Sequence, residues 1–131
     1  MIEEGRALFL QIAESVEDSI VDGSLREEER APSTNELASF YRINPATAAK
    51  GIAMLVDKGV LYKQRGIGMF VAPGARELLL GERRSAFTDR FIDPLLAEAR
   101  KLGLGPEDLA LLIRDRAEAR TATTTTEGTA R

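Results

Sequence analysis

The fold class predicted from the sequence is mainly α with a small β-hairpin: a winged helix-turn-helix followed by a C-terminal helical dimerisation hairpin. Three observations predict it. Two helix-start signals follow one another closely, at Ser33 and at Asn44. Two short segments of strand character flanking a glycine-bracketed loop come straight after them, at 60–64 and 68–71. From Pro73-Gly74 onward the apolar spacing is that of longer helices. Helix, turn, helix and hairpin in that order make a unit whose second helix fits the DNA major groove. The boundaries expected are 1–72 for this unit, 73–120 for a two-helix dimerisation region, and 121–131 for a disordered tail.

Composition narrows the function classes. The chain has 131 residues, 44% apolar and 30% charged, as in an ordinary soluble domain with enough aliphatic side chains for a core. It has no cysteine and no histidine. A thiol nucleophile, an imidazole base and the usual zinc ligand sets are therefore unavailable, and neither metal nor other cofactor is expected. No paired carboxylate site suggests an enzyme. No apolar run approaches the ~20 residues of a membrane span. The first residues, MIEEGR, are acidic and lack the charge pattern of a secretory signal, and the expected location is the cytoplasm.

The net charge of −3 argues against nucleic acid until it is divided along the chain. Residues 1–29 carry two basic and nine acidic side chains, net −7. Residues 30–72 carry six basic ones (Arg30, Arg42, Lys50, Lys58, Lys63, Arg65) against Glu36 and Asp57, net +4. Residues 73–131 balance at ten each. A local basic patch matters more for phosphate than the whole-chain sum. This patch is modest, so useful affinity is expected from two copies acting together.

Each element has its own warrant. In 8–22, Phe9, Ile12, Val16 and Ile20 recur at steps of three and four, one helical stripe, and Gly23 is a helix stop. Glu14, Glu17, Asp18 and Asp22 form an acidic outer face that should point away from phosphate. In the connector 24–31, Leu25 is expected to plug the core. Ser33 is the natural N-cap of a short helix, with Glu36 at capping-box spacing, and Leu37, Ala38 and Tyr41 continue it. Arg42 and Ile43 make the turn. Asn44 caps the second helix with Pro45 at its first position, and Ala48, Ile52, Leu55 and Val56 form its buried stripe up to Lys58-Gly59. Its other face, Ala46, Thr47, Lys50 and Gly51, is small or polar and can approach another surface.

Between the strands, Arg65-Gly66-Ile67-Gly68 places one basic residue at the tip of a glycine hairpin. A long helix is expected over about 75–102, with Leu80, Phe87, Phe91, Leu95 and Leu102 on one stripe and a kink at Pro94. Pro106, Glu107 and Asp108 start a last helix, amphipathic through Leu109, Leu112 and Ile113 to about Arg120. Two helices this short bury little on their own, so a homodimer interface is expected on those apolar faces. An effector cavity within the stripe is the lesser alternative, its small molecule unidentified. The tail TATTTTEGTAR is polar and low in complexity.

The motif PSTNELA … INPATAAKGIAMLVDKGVLYKQRGIGMFV resembles the GntR family of bacterial transcription regulators over about residues 9–72. With only 59 residues after the wing, and two helices there, the chain is similar to the YtrA-like subfamily, whose short C-terminal region serves mainly as a dimer interface. The resemblance implies a DNA-binding regulator, in many cases a repressor. Some positions depart from the pattern. Glu28-Glu29-Arg30-Ala31-Pro32-Ser33 stands where the family has Gly-Asp/Glu-Arg-Leu-Pro-Ser, Ala49 and Gly51 are small, and Met69 replaces a common Thr.

The residue roles expected are these. Lys50 and Thr47 are the base-groove candidates, because lysine can donate to guanine O6/N7 and a threonine methyl can meet thymine; an ordinary solvated lysine is the alternative. Asn44 caps and faces the backbone, while Pro45 and Ala46 contact by shape. Ser33, Thr34 and Asn35 lie where free amides and the positive helix end favour phosphate, although the capping box alone would explain Ser33. Arg65 enters the minor groove or meets phosphate, and Gly66 permits close approach. The partner expected is a double-stranded, pseudo-palindromic operator, one half-site per subunit. The rival class is a winged-helix protein–protein interaction module without DNA binding, docking through the acidic first helix.

Overall fold

The computed structural model describes residues 7–129, with the side chains described up to residue 122. MIEEGR lies outside the described residues, as do residues 130 and 131 of the tail expected over 121–131. The element order is α1 (Leu8–Asp22), α2 (Thr34–Tyr41), α3 (Pro45–Asp57), β1 (Leu61–Gln64), β2 (Gly68–Val71), α4 (Ala75–Phe87), a π-helical turn (Thr88–Ile92), α5 (Asp93–Lys101) and α6 (Pro106–Thr129). This is the winged helix-turn-helix with C-terminal helices that the sequence predicts.

The chain divides into two compact units, Met1–Arg84 and Ser85–Arg131. The core of the first is a three-helix arrangement closed by the hairpin. Ile12, Val16 and Ile20 of α1, Leu37 and Ala38 of α2, Ala48, Ile52 and Leu55 of α3, and Val60, Leu61 and Val71 of the hairpin are all buried together. Leu25 packs against this core from the connector, as expected. α1 ends on Gly23 at φ 89°, the left-handed conformation that glycine adopts without steric cost.

β1 and β2 pair antiparallel with Leu61 opposite Val71 and Gln64 opposite Gly68. The connector adds a short third rung that the sequence reading missed. Arg30 bridges Phe70, the Ala31 N–H donates to Met69 O at 2.8 Å, and the Val71 N–H donates to Glu29 O at 3.0 Å. Segment 28–31 is too short and too polar to show a strand period, which is why alternation does not reveal it.

The boundary expected at residue 72 lies later, after Arg84. The reason is the first two turns of α4, whose Ala75 and Leu79 are each 1% exposed within the first unit's core. Leu80, expected on the dimer stripe, is half-buried in this unit. The single helix expected over 75–102 is interrupted by the π turn, in which the Asp93 N–H donates to Thr88 O. Pro94 lacks an N–H and its ring crowds the preceding turn, and a widened turn just before it accommodates both. α6 continues past Arg120 to Thr129 because no glycine or proline intervenes before Gly128.

In the second unit the buried side chains among the described residues are Ala99 of α5 and Leu109 of α6. Leu109, expected to face a partner, is thus covered within one chain. Phe87, Phe91, Leu95, Leu102, Leu112 and Ile113 are all exposed.

Candidate nucleic-acid interface

The candidate interface is built on the starts of α2 and α3 and on the hairpin tip. α2 opens with the expected capping box: the Glu36 N–H donates to Ser33 Oγ at 3.0 Å, and the Ser33 N–H donates to a Glu36 carboxylate oxygen at 2.7 Å. That backbone N–H holds the Glu36 carboxyl below its ordinary pKa. Ser33 is therefore engaged by its own helix, leaving the first-turn amides of Thr34 and Asn35 without intrahelical acceptors. These amides and the positive helix end suit an oxygen of phosphate.

The turn between the two helices runs through Arg42, a non-glycine residue at φ 57° whose N–H donates back to Ala38 and Ser39 carbonyls. It delivers Asn44 to the start of α3, where its side chain accepts from the Ala46 N–H at 2.8 Å. Pro45 occupies the first helical turn. Asn44, Pro45, Ala46 and Lys50 are exposed and Thr47 is half-buried, while Ala48, Ile52 and Leu55 seal the opposite side into the core. One face of α3 is thus fixed and the other presented.

Gly51 departs from expectation. It is buried against α1, and a Cβ there would stand 2.8 Å from the Phe9 carbonyl oxygen. Its smallness serves helix packing rather than the approach of a ligand. The same close packing puts the Lys50 Nζ 4.1 Å from the centroid of the Phe9 ring, a cation–π contact that no spacing rule within α3 could reveal.

At the hairpin tip, Arg65, Gly66 and Ile67 are exposed, with Gly66 at φ 76° and Gly68 at φ 145° making the tight turn. Gly68 has a further reason to be glycine: a Cβ would meet the Arg30 guanidinium at 3.0 Å. Arg30, one of the six basic residues of 30–72, thus lies against the wing.

Lys58 is subtracted from the basic patch. Its ammonium contacts Glu17 and Glu82, both at 2.7 Å. Burial alone would lower its pKa, but the hydrogen bonds to these two carboxylates outweigh that and raise it. Glu17, expected on the outer acidic face, is buried in this contact. A groove of about 690 Å³ lies between α1, the connector and α2, lined by Val16, Leu25, Pro32, Leu37, Phe40 and Tyr41; the sequence had placed its candidate cavity in the C-terminal stripe instead.

The model of bacterial regulatory proteins of the gntR family matches residues 8–71, from the first residue of α1 to the last of β2. A crystal structure of a putative transcriptional regulator of the GntR family from Bacteroides thetaiotaomicron is 30% identical, with a TM-score of 0.71 over 87% of this chain and 99% of that one. The chain belongs to the GntR family. As a GntR-family protein it is a transcriptional regulator with a DNA-binding winged helix. Among its relatives, the HTH-type transcriptional repressor YtrA of Bacillus subtilis is 23% identical over 108 residues, 82% of each chain. The N-terminal domain of AraR, solved in complex with a mutant ORR3, is 31% identical with a TM-score of 0.50 over 53% of this chain. No helix among the described residues is long and apolar enough to cross a membrane.

Proposed function

We propose that this GntR-family protein is a non-enzymatic, cytoplasmic repressor of the YtrA-like type that binds a pseudo-palindromic operator as a homodimer. The observation that carries this reading is α3, anchored along one side by Ala48, Ile52 and Leu55 and exposed at Asn44, Pro45, Ala46 and Lys50 on the other. In this reading α3 enters the major groove, with Lys50 and Thr47 on base edges and Asn44, Pro45 and Ala46 on the adjoining backbone. Ser33, Thr34 and Asn35 meet phosphate, and Arg65 with Gly66 meets the minor groove. The similarity to the AraR N-terminal domain, solved with a mutant ORR3, supports a nucleic-acid partner for the first unit.

Dimerisation is assigned to the apolar residues from α4 onward: Leu80, Phe87, Phe91, Leu95, Leu102, Leu112 and Ile113, with Leu109 beneath them. Six of these eight are exposed in the single chain, which supports a covering partner. Two modestly basic half-sites on one duplex add up through effective concentration. A small-molecule effector stays unassigned.

The test is selection from a pool of random duplexes, followed by gel shift and footprinting on the enriched sequence. A two-fold symmetric footprint and affinity falling steeply with salt are expected. Lys50→Ala should relax base preference at one position by about 1–3 kcal/mol, whereas Arg65→Ala should weaken all duplexes alike. No enrichment, or binding insensitive to salt, would overturn the proposal.

A further inference from the structure

We propose that Phe9, in the first turn of α1, is a positioning residue for base reading, its ring orienting the Lys50 ammonium before DNA arrives. This rests on α3 being the base-reading helix. A lysine on an exposed helix face has a long stem and many rotamers, and each must be frozen before its ammonium can donate to one base edge. Here the Lys50 Nζ already stands 4.1 Å from the centre of the Phe9 ring. The negative ring face attracts the cation and narrows the arc it can sweep.

The placement is built from two elements distant in sequence. Gly51 lets the α1 backbone come against α3, since any Cβ there would meet the Phe9 carbonyl oxygen at 2.8 Å and Ile12 Cβ at 3.4 Å. That contact sets the Phe9 side chain beside the residue that precedes Gly51. Phe9 is also not consumed by the core. Further along its stripe Ile12, Val16 and Ile20 are 0%, 3% and 1% exposed, while Phe9 is only half-buried, so its ring remains open to a cation. Among the described residues Lys50 has no carboxylate partner that would compete for it.

The experiment measures affinities of the full chain for its selected duplex and for a set of single-base variants of that duplex. Phe9→Leu keeps apolar bulk and removes the ring, while Phe9→Tyr keeps the ring. Phe9→Leu should lower discrimination about two- to fivefold, at the base positions that Lys50→Ala relaxes and only there. Phe9→Tyr should retain the wild-type preference, and Phe9→Leu should add nothing in a Lys50→Ala background. Circular dichroism melting of each variant separates lost folding from lost positioning. A Phe9→Leu protein that weakens every duplex equally, or that acts equally with Lys50 removed, overturns the inference while leaving DNA reading by α3 intact. A wild-type chain that enriches no sequence overturns both.

Discussion

The two units of this chain differ in how far they bury an apolar core, although Phe40 and Ile67 of the first stay exposed at its surface. In Met1–Arg84, Ile12, Ile20, Leu55, Val60, Leu61, Val71 and Leu79 are all at most 2% exposed. In Ser85–Arg131, Phe87 and Phe91 are each 54% exposed and Leu102 is 67% exposed. The first unit closes its own core around three helices, the hairpin and the start of α4. The second unit offers more apolar surface than a solvated helix pair requires. A region that covers itself can present a functional face without aggregating. A region that does not cover itself has its apolar surface available for assembly, and that division matches the proposed split between reading DNA and pairing subunits.

The contrast can be broken from either side. The largest effect is expected in the sealed unit: Leu55→Ala should cost about 2–5 kcal/mol in denaturant unfolding, through lost transfer energy and the cavity left behind. In the open unit, Phe87→Ser with Phe91→Ser should scarcely alter unfolding of the first unit. It should weaken dimerisation by roughly 2 kcal/mol or more, about thirtyfold, read by sedimentation equilibrium. A wild-type chain that stays monomeric at micromolar concentration would remove the second half of the comparison.

Lys58→Met tests what secures α3 to its neighbours inside the sealed unit. With its side chain 32% exposed and two carboxylates at 2.7 Å, its loss should cost about 1–2 kcal/mol, chiefly because Glu17 is left nearly buried without its partner. The folded-state pKa is raised above 10.5, so this contribution is fully present at neutral pH. It is lost as pH rises through the raised value, and the gap between wild type and Lys58→Met in urea midpoints should close there.

The smallest effect sharpens the same side. Glu28 sits at φ 71°, a left-handed conformation costly for any side chain, in the place where the family pattern has glycine. Glu28→Gly should relieve about 1 kcal/mol of strain, less whatever the Tyr62 hydroxyl contributes to the Glu28 carboxylate at 3.1 Å. Thermal unfolding checks it, with a higher Tm expected.

What the sequence made legible was local. The Ser33/Glu36 box, the Asn44-Pro45 start and the Gly23 stop each depend on residues within a few positions, and all three are in place. The stripes Ile12–Val16–Ile20 and Ala48–Ile52–Leu55 were readable because burial on one helix side imposes a period. What escaped depended on which surfaces meet. Gly51 and Glu17 look like outward residues by helical angle, yet α1 and α3 approach closely enough to bury both. The third rung at 28–31 has no period to detect. The start of α4 was assigned to the wrong unit because Leu79 and Leu80 are adjacent leucines, and only packing decides which is inward.

Gly51 has a practical consequence for anyone retargeting such a protein. The outward positions Ala46, Ala49 and Lys50 are open to exchange, because they are exposed and Lys50 rests on the face of one ring. The residue directly after them is a backbone bearing surface, and its 2.8 Å clearance to a carbonyl leaves no room for a methyl group. A foreign α3 spliced in with alanine at that position would have to tilt or slide before it read anything. Its tilt against α1, rather than its letters, would then set which base pairs it met.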